Sequence, residues 1–323
     1  MHKFSKTMRA LVSGAALLTF VGAAEAGSVP ESKDPIKLAL NEWTGQVISS
    51  YIFGSVLEKM GYTVEYVTAG AVPQYEAMAT GNLTANPENW DNNVGDIYPK
   101  AMASGDLINA GPTGLKAIES WAYPPYMEEK CPGLPDWKAL MNCAEAFATP
   151  ETSPKGRVID YPSDWAARAA PLIEANNMPY VAIPGGSEGA MVAEIKSAVA
   201  ANEPILIMFW APHWLFAEVK MNWVNLPPYE ENCDTDPKIG PNPDKVGDCS
   251  RPAANVNKVA WKGMQEKWPA AFKALGVFSI DNTTQEKLIG EVDNKGRDIK
   301  EVIKEWMDQN EATWKPWVDQ SMM

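Results

Sequence analysis

Two spacings of apolar residues follow each other near the start of the chain. Residues 36–40 form a short apolar run, residues 47–60 repeat apolar positions at helical spacing, and residues 62–67 resemble a second strand. A strand, a helix and a strand in this order predict a β-α-β unit with parallel strands. Ligands bind beyond the carboxyl ends of such strands, and Trp43 stands at one of them.

The same alternation continues and predicts an α/β protein. Turn chemistry predicts a loop over residues 86–93, which places Trp90 on that loop, and the tail from residue 256 is expected to be largely helical. Further strands are predicted at 118–123, 157–161, 180–183 and 204–210, and helices at 74–79, at 98–103, within 134–146, from Trp165 and at 188–200.

The first 26 residues have the pattern of a signal peptide. Three basic residues precede an apolar stretch over residues 10–24, and Ala24-Glu25-Ala26 provides the small residues that a signal peptidase requires. The alternative, a membrane anchor, needs about 20 apolar residues. We therefore expect cleavage after residue 26 and a protein exported to the periplasm.

The length that follows the signal favours two lobes rather than one core. We expect lobe 1 to comprise residues 27–122 and 223–323, and lobe 2 to comprise residues 123–222. The double proline at 124–125 suits a crossover between them.

The charge balance limits the partners. With 28 Lys and Arg against 41 Asp and Glu, the chain carries a formal net charge of −13. This balance repels nucleic acid and anionic lipid, whereas it tolerates a cationic or zwitterionic ligand.

The four cysteines form two close pairs in the sequence, Cys131 with Cys143 and Cys233 with Cys249. Four cysteines allow three pairings, and we expect the two local bridges. A zinc site is the alternative, but His213 is the one histidine that follows the signal.

Tryptophans stand at several predicted strand ends and loops. A quaternary ammonium group cannot donate a hydrogen bond, so proteins hold it with the negative faces of aromatic rings. A cage of this kind is predicted from five residues: Trp43, Trp90, Trp121, Trp165 and Trp210. The tryptophans after residue 256 fit amphipathic helices and are expected in cores.

Three segments resemble a known family. Residues 78–90, residues 121–126 and above all Phe-Trp-Ala-Pro-His-Trp at 209–214 are similar to the glycine betaine, proline betaine, choline and trimethylamine-N-oxide (TMAO) substrate-binding proteins of ABC importers. The resemblance implies a two-lobed periplasmic binding protein fold of type II, with the ligand in the interlobe cleft. It further implies a monomer that delivers its ligand to an inner-membrane ABC permease and performs no chemistry.

The resemblance also assigns residues. Trp90 and Trp210 match cage positions, Trp165 and Trp43 fit others, Trp121 corresponds to an aromatic residue of choline binders, and Trp214 is a further candidate. The cysteine-bracketed loop resembles that of the TMAO binders. The expected ligand is therefore glycine betaine or TMAO, with choline as the alternative.

Other residues allow further hypotheses. His213 is expected to donate to a carboxylate or N-oxide oxygen, or else to bond nearby backbone, and Glu42 is expected to face the cationic nitrogen. Calcium binding is a hypothesis for the cysteine-bracketed loop, because carboxylates, which are hard oxygen ligands, are close together in its sequence. They belong to Asp234, Asp236, Asp244 and Asp248. The alternative is that these carboxylates are simply solvated.

Two other classes of protein compete with a methylammonium binder. Residues 185–189, Gly-Gly-Ser-Glu-Gly, match a nucleophile elbow between a strand and a helix, which makes a secreted serine hydrolase the enzymatic alternative. A sugar-binding protein also uses tryptophan faces, but it pairs them with many polar side chains. The cage hypothesis explains more of the tryptophans than either alternative.

Overall fold

The structure, a computed structural model, describes residues 28–92 and 97–323. The predicted signal peptide, residues 1–26, lies outside the described residues. Within the described ranges, no helix has both the length and the apolar character needed to cross a bilayer.

The described residues contain two five-stranded sheets. The strands are β1 (Ile36–Leu40), β2 (Val64–Thr68), β3 (Ala85–Trp90), β4 (Leu107–Pro112), β5 (Ile118–Tyr123), β6 (Gly156–Asp160), β7 (Tyr180–Pro184), β8 (Ile207–Ala211), β9 (Asn222–Trp223) and β10 (Val256–Trp261). The first sheet has the order β2-β1-β3-β10-β4, and the second has the order β7-β6-β8-β5-β9.

The helices of the described residues cover these sheets. They are α1 (Thr44–Lys59), α2 (Gln74–Ala79), α3 (Ile97–Ala103), α4 (Met127–Lys130), α5 (Trp137–Leu140), α6 (Ala169–Ala175), α7 (Glu188–Ala201), α8 (Leu215–Glu218), α9 (Met264–Lys267), α10 (Pro269–Val277), α11 (Asn282–Ile289), α12 (Ile299–Gln309) and α13 (Glu311–Ser321). The chain therefore returns at its end to the first sheet, because α11, α12 and α13 pack against α1.

The predicted β-α-β unit is confirmed. Strand β1 pairs in parallel with β2, so that Ile36 lies opposite Val64, and α1 connects the two strands. The helix buries Ile48, Ile52 and Phe53 in the core. Apolar residues at helical spacing thus cover the sheet, as the sequence pattern requires.

The chain crosses between the sheets twice. It leaves the first sheet after β4, builds the second sheet from β5 to β9, and re-enters the first sheet through β10. Strand β10 runs antiparallel between β3 and β4. Both β5 and β9 belong to the second sheet, so the crossing segments lie before Ile118 and after Trp223.

Two local predictions are wrong. Residues 85–90 form the fully buried strand β3 rather than a loop, and Trp90 is its last residue. The segment Ser163–Trp165 is a 3₁₀ turn, and the following helix begins only at Ala169. The prediction of a largely helical tail is confirmed from Met264 to Ser321, after strand β10 at its start.

The two local disulfides are confirmed, since Cys131 bonds Cys143 and Cys233 bonds Cys249. The second bridge closes a loop of turns and bends over residues 229–252. This loop packs on α6, where Asn176 donates to the Asp248 carbonyl at 2.8 Å and Asn242 donates to the Ala175 carbonyl at 2.7 Å. The loop is therefore attached to the second sheet.

Candidate ligand-binding site

Four tryptophans from the two sheets enclose one small cavity, and we call them the tryptophan cage: Trp43, Trp90, Trp165 and Trp210. The Trp165 ring stands edge-on to Trp43 and to Trp210, with centroids 5.4 Å apart in each pair and interplanar angles of 68°. The volume of the cavity that is open to the centre of a water molecule is about 30 Å³. The rings therefore enclose room for a compact ligand.

Strand ends position all four rings. Trp43 precedes the first residue of α1 in an extended conformation, just beyond β1, and Trp90 ends the neighbouring strand β3. In the second sheet, Trp210 lies near the end of β8, and Trp165 follows the parallel strand β6. The carboxyl ends of parallel strands lie on one edge of a sheet, so each sheet presents two indoles to the cavity.

Polar side chains complete the wall of the cavity. Glu119 lines it from β5 and accepts a hydrogen bond from the Tyr161 hydroxyl at 3.0 Å. Arg168 donates to the other carboxylate oxygen of Glu119 at 3.2 Å. It also donates to the backbone carbonyl of Asn92, just after strand β3 of the first sheet, at 2.7 Å. Both Glu119 and Arg168 are almost fully buried. The wall therefore holds a carboxylate whose charge Arg168 compensates.

Tyr161 contributes a further ring. It lines the cavity and stands edge-on to Trp165 and Trp210, at centroid distances of 5.7 Å and 5.8 Å. Burial, together with the nearby Glu119 charge, raises the pKa of Tyr161 well above its ordinary value. The phenol is thus a neutral hydrogen-bond donor at the wall of the cavity.

Behind two of the rings lies a buried carboxyl group. Glu88, on β3, accepts hydrogen bonds from the indole N–H groups of Trp43 at 3.3 Å and Trp90 at 3.0 Å. Burial raises the pKa of Glu88, whereas its hydrogen bonds act in the opposite direction. One side chain thus holds both indoles that the first sheet supplies.

The other predicted site residues lie outside the tryptophan cage. Trp121 is buried on β5 and faces a separate cavity of about 590 Å³, which Arg168 also lines. Glu42 is exposed. Trp214 packs beside the His213 ring, with centroids 5.8 Å apart, and Lys196 lies over its face. The structure therefore brings together four of the eight predicted residues.

His213 belongs to a cluster that joins the two sheets, which we call the Glu188 cluster: Thr44, Glu188, His213 and Asp293. Glu188, at the start of α7, accepts from the Thr44 backbone N–H at 2.9 Å and lies 3.1 Å from His213 Nε2. The Thr44 hydroxyl donates to Asp293 at 2.8 Å. Of these three contacts, the one from Thr44 to Glu188 links an element of the first sheet's half to an element of the second sheet's half.

The Glu188 cluster predicts a pH dependence. Burial and the nearby Glu188 charge raise the pKa of Asp293 to about 6, so its ionised form weakens closure above pH 6 and protonation relieves that cost below it. We expect Asp293→Asn to bind ligand about threefold more tightly than wild type at pH 7.5, and with the same affinity as wild type at pH 5.5. A threefold change is within the range of interaction energies of partly exposed charge pairs. Calorimetry at both pH values checks this, with Asp308→Asn as the surface control.

The hydrolase pattern has another role in the structure. The Ser187 hydroxyl accepts from the Ala190 N–H at 3.2 Å and so caps α7, while His213 contacts Glu188. A nucleophile instead needs the histidine as its hydrogen-bonded base. The pattern at 185–189 is explained by a helix cap.

The acidic loop does not gather its four aspartates. Asp248 is fully buried beside the Cys233–Cys249 bridge and accepts from the Asn242 N–H. Asp234 and Asp244 are exposed, and Asp236 accepts from the Lys238 N–H at 3.0 Å. Calcium binding by this loop stays a prediction.

Sequence reasoning missed four side chains that shape the site: Glu88, Glu119, Tyr161 and Arg168. Tyr161 had a detectable signal, because it is the last residue of a predicted strand, as Trp210 is. The two glutamates had none, since their burial depends on partners distant in the sequence.

The chain is similar to known proteins over most of its length. Residues 34–309 match the substrate-binding domain of the ABC-type glycine betaine transport system. The trimethylamine N-oxide-binding protein of Pelagibacter ubique is 27% identical over 98% of this chain and 99% of its own length. Lactococcal OpuAC complexed with glycine betaine superposes with a TM-score of 0.67 at 19% identity, over 88% of this chain and 100% of its own.

A choline-binding protein of an ABC transporter, solved with choline, gives a TM-score of 0.71 at 16% identity, over 91% of this chain and 97% of its own. These structural matches confirm the predicted two-lobed α/β binding-protein fold. Because the family match spans most of the sequence, this chain belongs to the substrate-binding domains of ABC-type glycine betaine transport systems.

Proposed function

We propose that this protein captures trimethylamine N-oxide in the periplasm for an ABC importer, using the tryptophan cage. The single observation that carries the proposal is the convergence of Trp43, Trp90, Trp165 and Trp210, two from each sheet, around one cavity. A relative named as a TMAO-binding protein, similar over nearly the whole chain, supports this choice of ligand.

The rings suit a methylated ammonium centre. Its nitrogen has no proton to donate, and its positive charge is spread over methyl groups that fit against indole faces. Each cation–π contact contributes roughly 0.5–2 kcal/mol, depending on desolvation. Several such contacts hold a ligand that offers little else to hydrogen-bond.

The polar wall distinguishes among ligands of this class. Glu119 lines the cavity, and its carboxylate repels the carboxylate of glycine betaine. TMAO carries its negative charge on one oxygen bonded directly to the nitrogen, in place of that carboxylate, and it is the more compact molecule, which fits a small cavity. Choline is the second candidate, because a cation with a hydroxyl group is compatible with Glu119.

Capture proceeds by closure of the two lobes. We propose that the crossing segments lie before Ile118 and after the cysteine-bracketed loop, which modifies the expected boundaries at residues 122 and 223, since β5 and β9 pair within the second sheet. A ligand that contacts rings of both lobes favours the closed form, which an ABC permease then recognises. The protein acts as a monomer.

A calorimetric panel tests the proposal on the mature protein at one pH. We expect TMAO to bind more tightly than choline, glycine betaine to bind more weakly than both, and maltose to give no heat. Tightest binding of choline would make choline the ligand. Binding of maltose without any methylated ammonium compound would overturn the cage as the functional site.

A further inference from the structure

Glu88 is the focus of a buried hydrogen-bond network under the tryptophan cage. Its side chain is 1% exposed. One carboxylate oxygen accepts from the indoles of Trp43 and Trp90, and the other accepts from the Ser49 hydroxyl at 2.6 Å and from Gln285 Nε2 at 2.5 Å. Four donors thus converge on a single carboxyl group.

This set of partners matches the ionised carboxylate. An indole N–H can only donate, and an ionised carboxylate offers about four acceptor positions. Gln285 Nε2 also lies 3.3 Å from the Gly45 carbonyl, an acceptor, which agrees with its role as a donor. A protonated carboxyl group could donate its proton only to the Ser49 hydroxyl, because the two indole N–H groups and Gln285 Nε2 cannot accept.

The charge of Glu88 has no basic partner in the described part of the chain. The groups that act on it there are Ser49, Trp90, Trp43 and Gln285, all uncharged. Glu119, the other carboxylate near the cavity, differs because Arg168 pairs with it at 3.2 Å. A buried charge without a counter-charge is costly, and that cost falls when a cation arrives nearby.

We propose that Glu88 is the positioning residue and the counter-charge of the tryptophan cage, fixing two indoles and favouring a positively charged centre over an uncharged one of equal shape. The inference rests on the proposed function, because it assigns Glu88 to the same site. The positive centre of the ligand contacts the ring faces. The Glu88 carboxylate, hydrogen-bonded to the N–H edges of Trp43 and Trp90, attracts that centre electrostatically.

The test compares two variants that remove different properties. Glu88→Gln removes the charge at constant size, whereas Ser49→Ala removes one hydrogen bond and keeps the charge. We expect Glu88→Gln to weaken TMAO binding at least about tenfold, or about 1.4 kcal/mol, and Ser49→Ala to weaken it less than about threefold. An equal loss of TMAO affinity in the two variants, or no loss in Glu88→Gln, would overturn the role of Glu88 as a counter-charge.

Positioning has its own readout, which needs no ligand. The indole N–H signals of Trp43 and Trp90, assigned with Phe variants in ¹⁵N-correlation spectra, report the hydrogen bonds to Glu88. We expect both signals to move upfield and lose protection from exchange in Glu88→Gln, while the indole signal of Trp306 stays in place. Unmoved signals would contradict the positioning role.

One arm uses the wild-type protein alone, in case Glu88→Gln does not fold. tert-Butanol has the shape of TMAO with an uncharged carbon at its centre, and we expect it to bind at least about 100-fold more weakly. Affinities within threefold would show a cage indifferent to charge. If wild-type protein binds no methylated ammonium compound, the proposed function fails, whereas unaffected binding in Glu88→Gln defeats the Glu88 inference alone.

Discussion

Trp210→Ala is expected to weaken the binding of TMAO at least about tenfold, equivalent to about 1.4 kcal/mol. The ring lines the cavity, is almost fully buried, and stands against Trp165 and Tyr161 at 5.4 Å and 5.8 Å. Its removal deletes one cation–π contact and loosens two neighbouring rings, so both losses act on the same ligand. Isothermal titration calorimetry on the mature protein measures the change.

Two further variants separate binding from folding. Trp306→Ala removes a tryptophan from α12, outside the tryptophan cage, and we expect it to leave affinity unchanged. Trp210→Phe keeps a smaller aromatic face and is expected to bind with intermediate affinity. A Trp210→Ala protein that melts normally and binds as tightly as wild type would remove Trp210 from the site.

The second large effect concerns ligand choice. Glu119→Gln is expected to raise the affinity for glycine betaine by about tenfold, or about 1.4 kcal/mol. Two like charges about 4 Å apart repel by about 4 kcal/mol at an effective dielectric constant near 20, and the pairing of Glu119 with Arg168 reduces that repulsion. The substitution also leaves the guanidinium of Arg168, now 3.2 Å from Glu119, to attract the betaine carboxylate. Parallel titrations of wild type and Glu119→Gln with glycine betaine and with choline measure the change. The affinity for choline should fall in the variant.

Glu194→Gln is the matched control, since this residue pairs with Arg157 at the surface at 3.8 Å. It should alter neither titration. If Glu119→Gln leaves the ratio of glycine betaine to choline affinity unchanged, Glu119 has no part in discrimination, and the choice of TMAO over glycine betaine loses its physical basis.

The strands and helices that follow apolar patterns could be predicted from the sequence. The run at 36–40 and the helical spacing after it gave β1 and α1, since burial of apolar side chains determines both periods. The strand before Trp210 was recognisable for the same reason, because its side chains are buried. The apolar pattern of a single segment is therefore enough to predict such a strand or helix.

Strand β3 could not be recognised in this way. Its residues favour turns, yet all six are buried, because distant side chains satisfy them. Asn86 accepts from Gln46 Nε2 at 3.0 Å and donates to Gln74 Oε1 at 2.7 Å. Such partners compensate for burial of polar groups in a central strand, and only the folded chain brings them together.

The tryptophan cage was predictable where it depends on strand ends, as at Trp43 and Trp210. The rule failed for Trp121, which also lies on a strand but faces the larger cavity. It failed as well for His213, which does not line the cavity: its ring stands edge-on to Trp210, with centroids 5.3 Å apart, and its Nε2 contacts Glu188 on α7. The direction of a side chain depends on register and on neighbouring elements, which a strand-end position does not specify.

A crystal structure of the mature protein grown with TMAO tests the central claim most directly. The account predicts density for one trimethylammonium group between Trp43, Trp90, Trp165 and Trp210, with its methyl groups against the indole faces. Ligand density outside these rings, with the four indoles packed against one another and nothing between them, would contradict it.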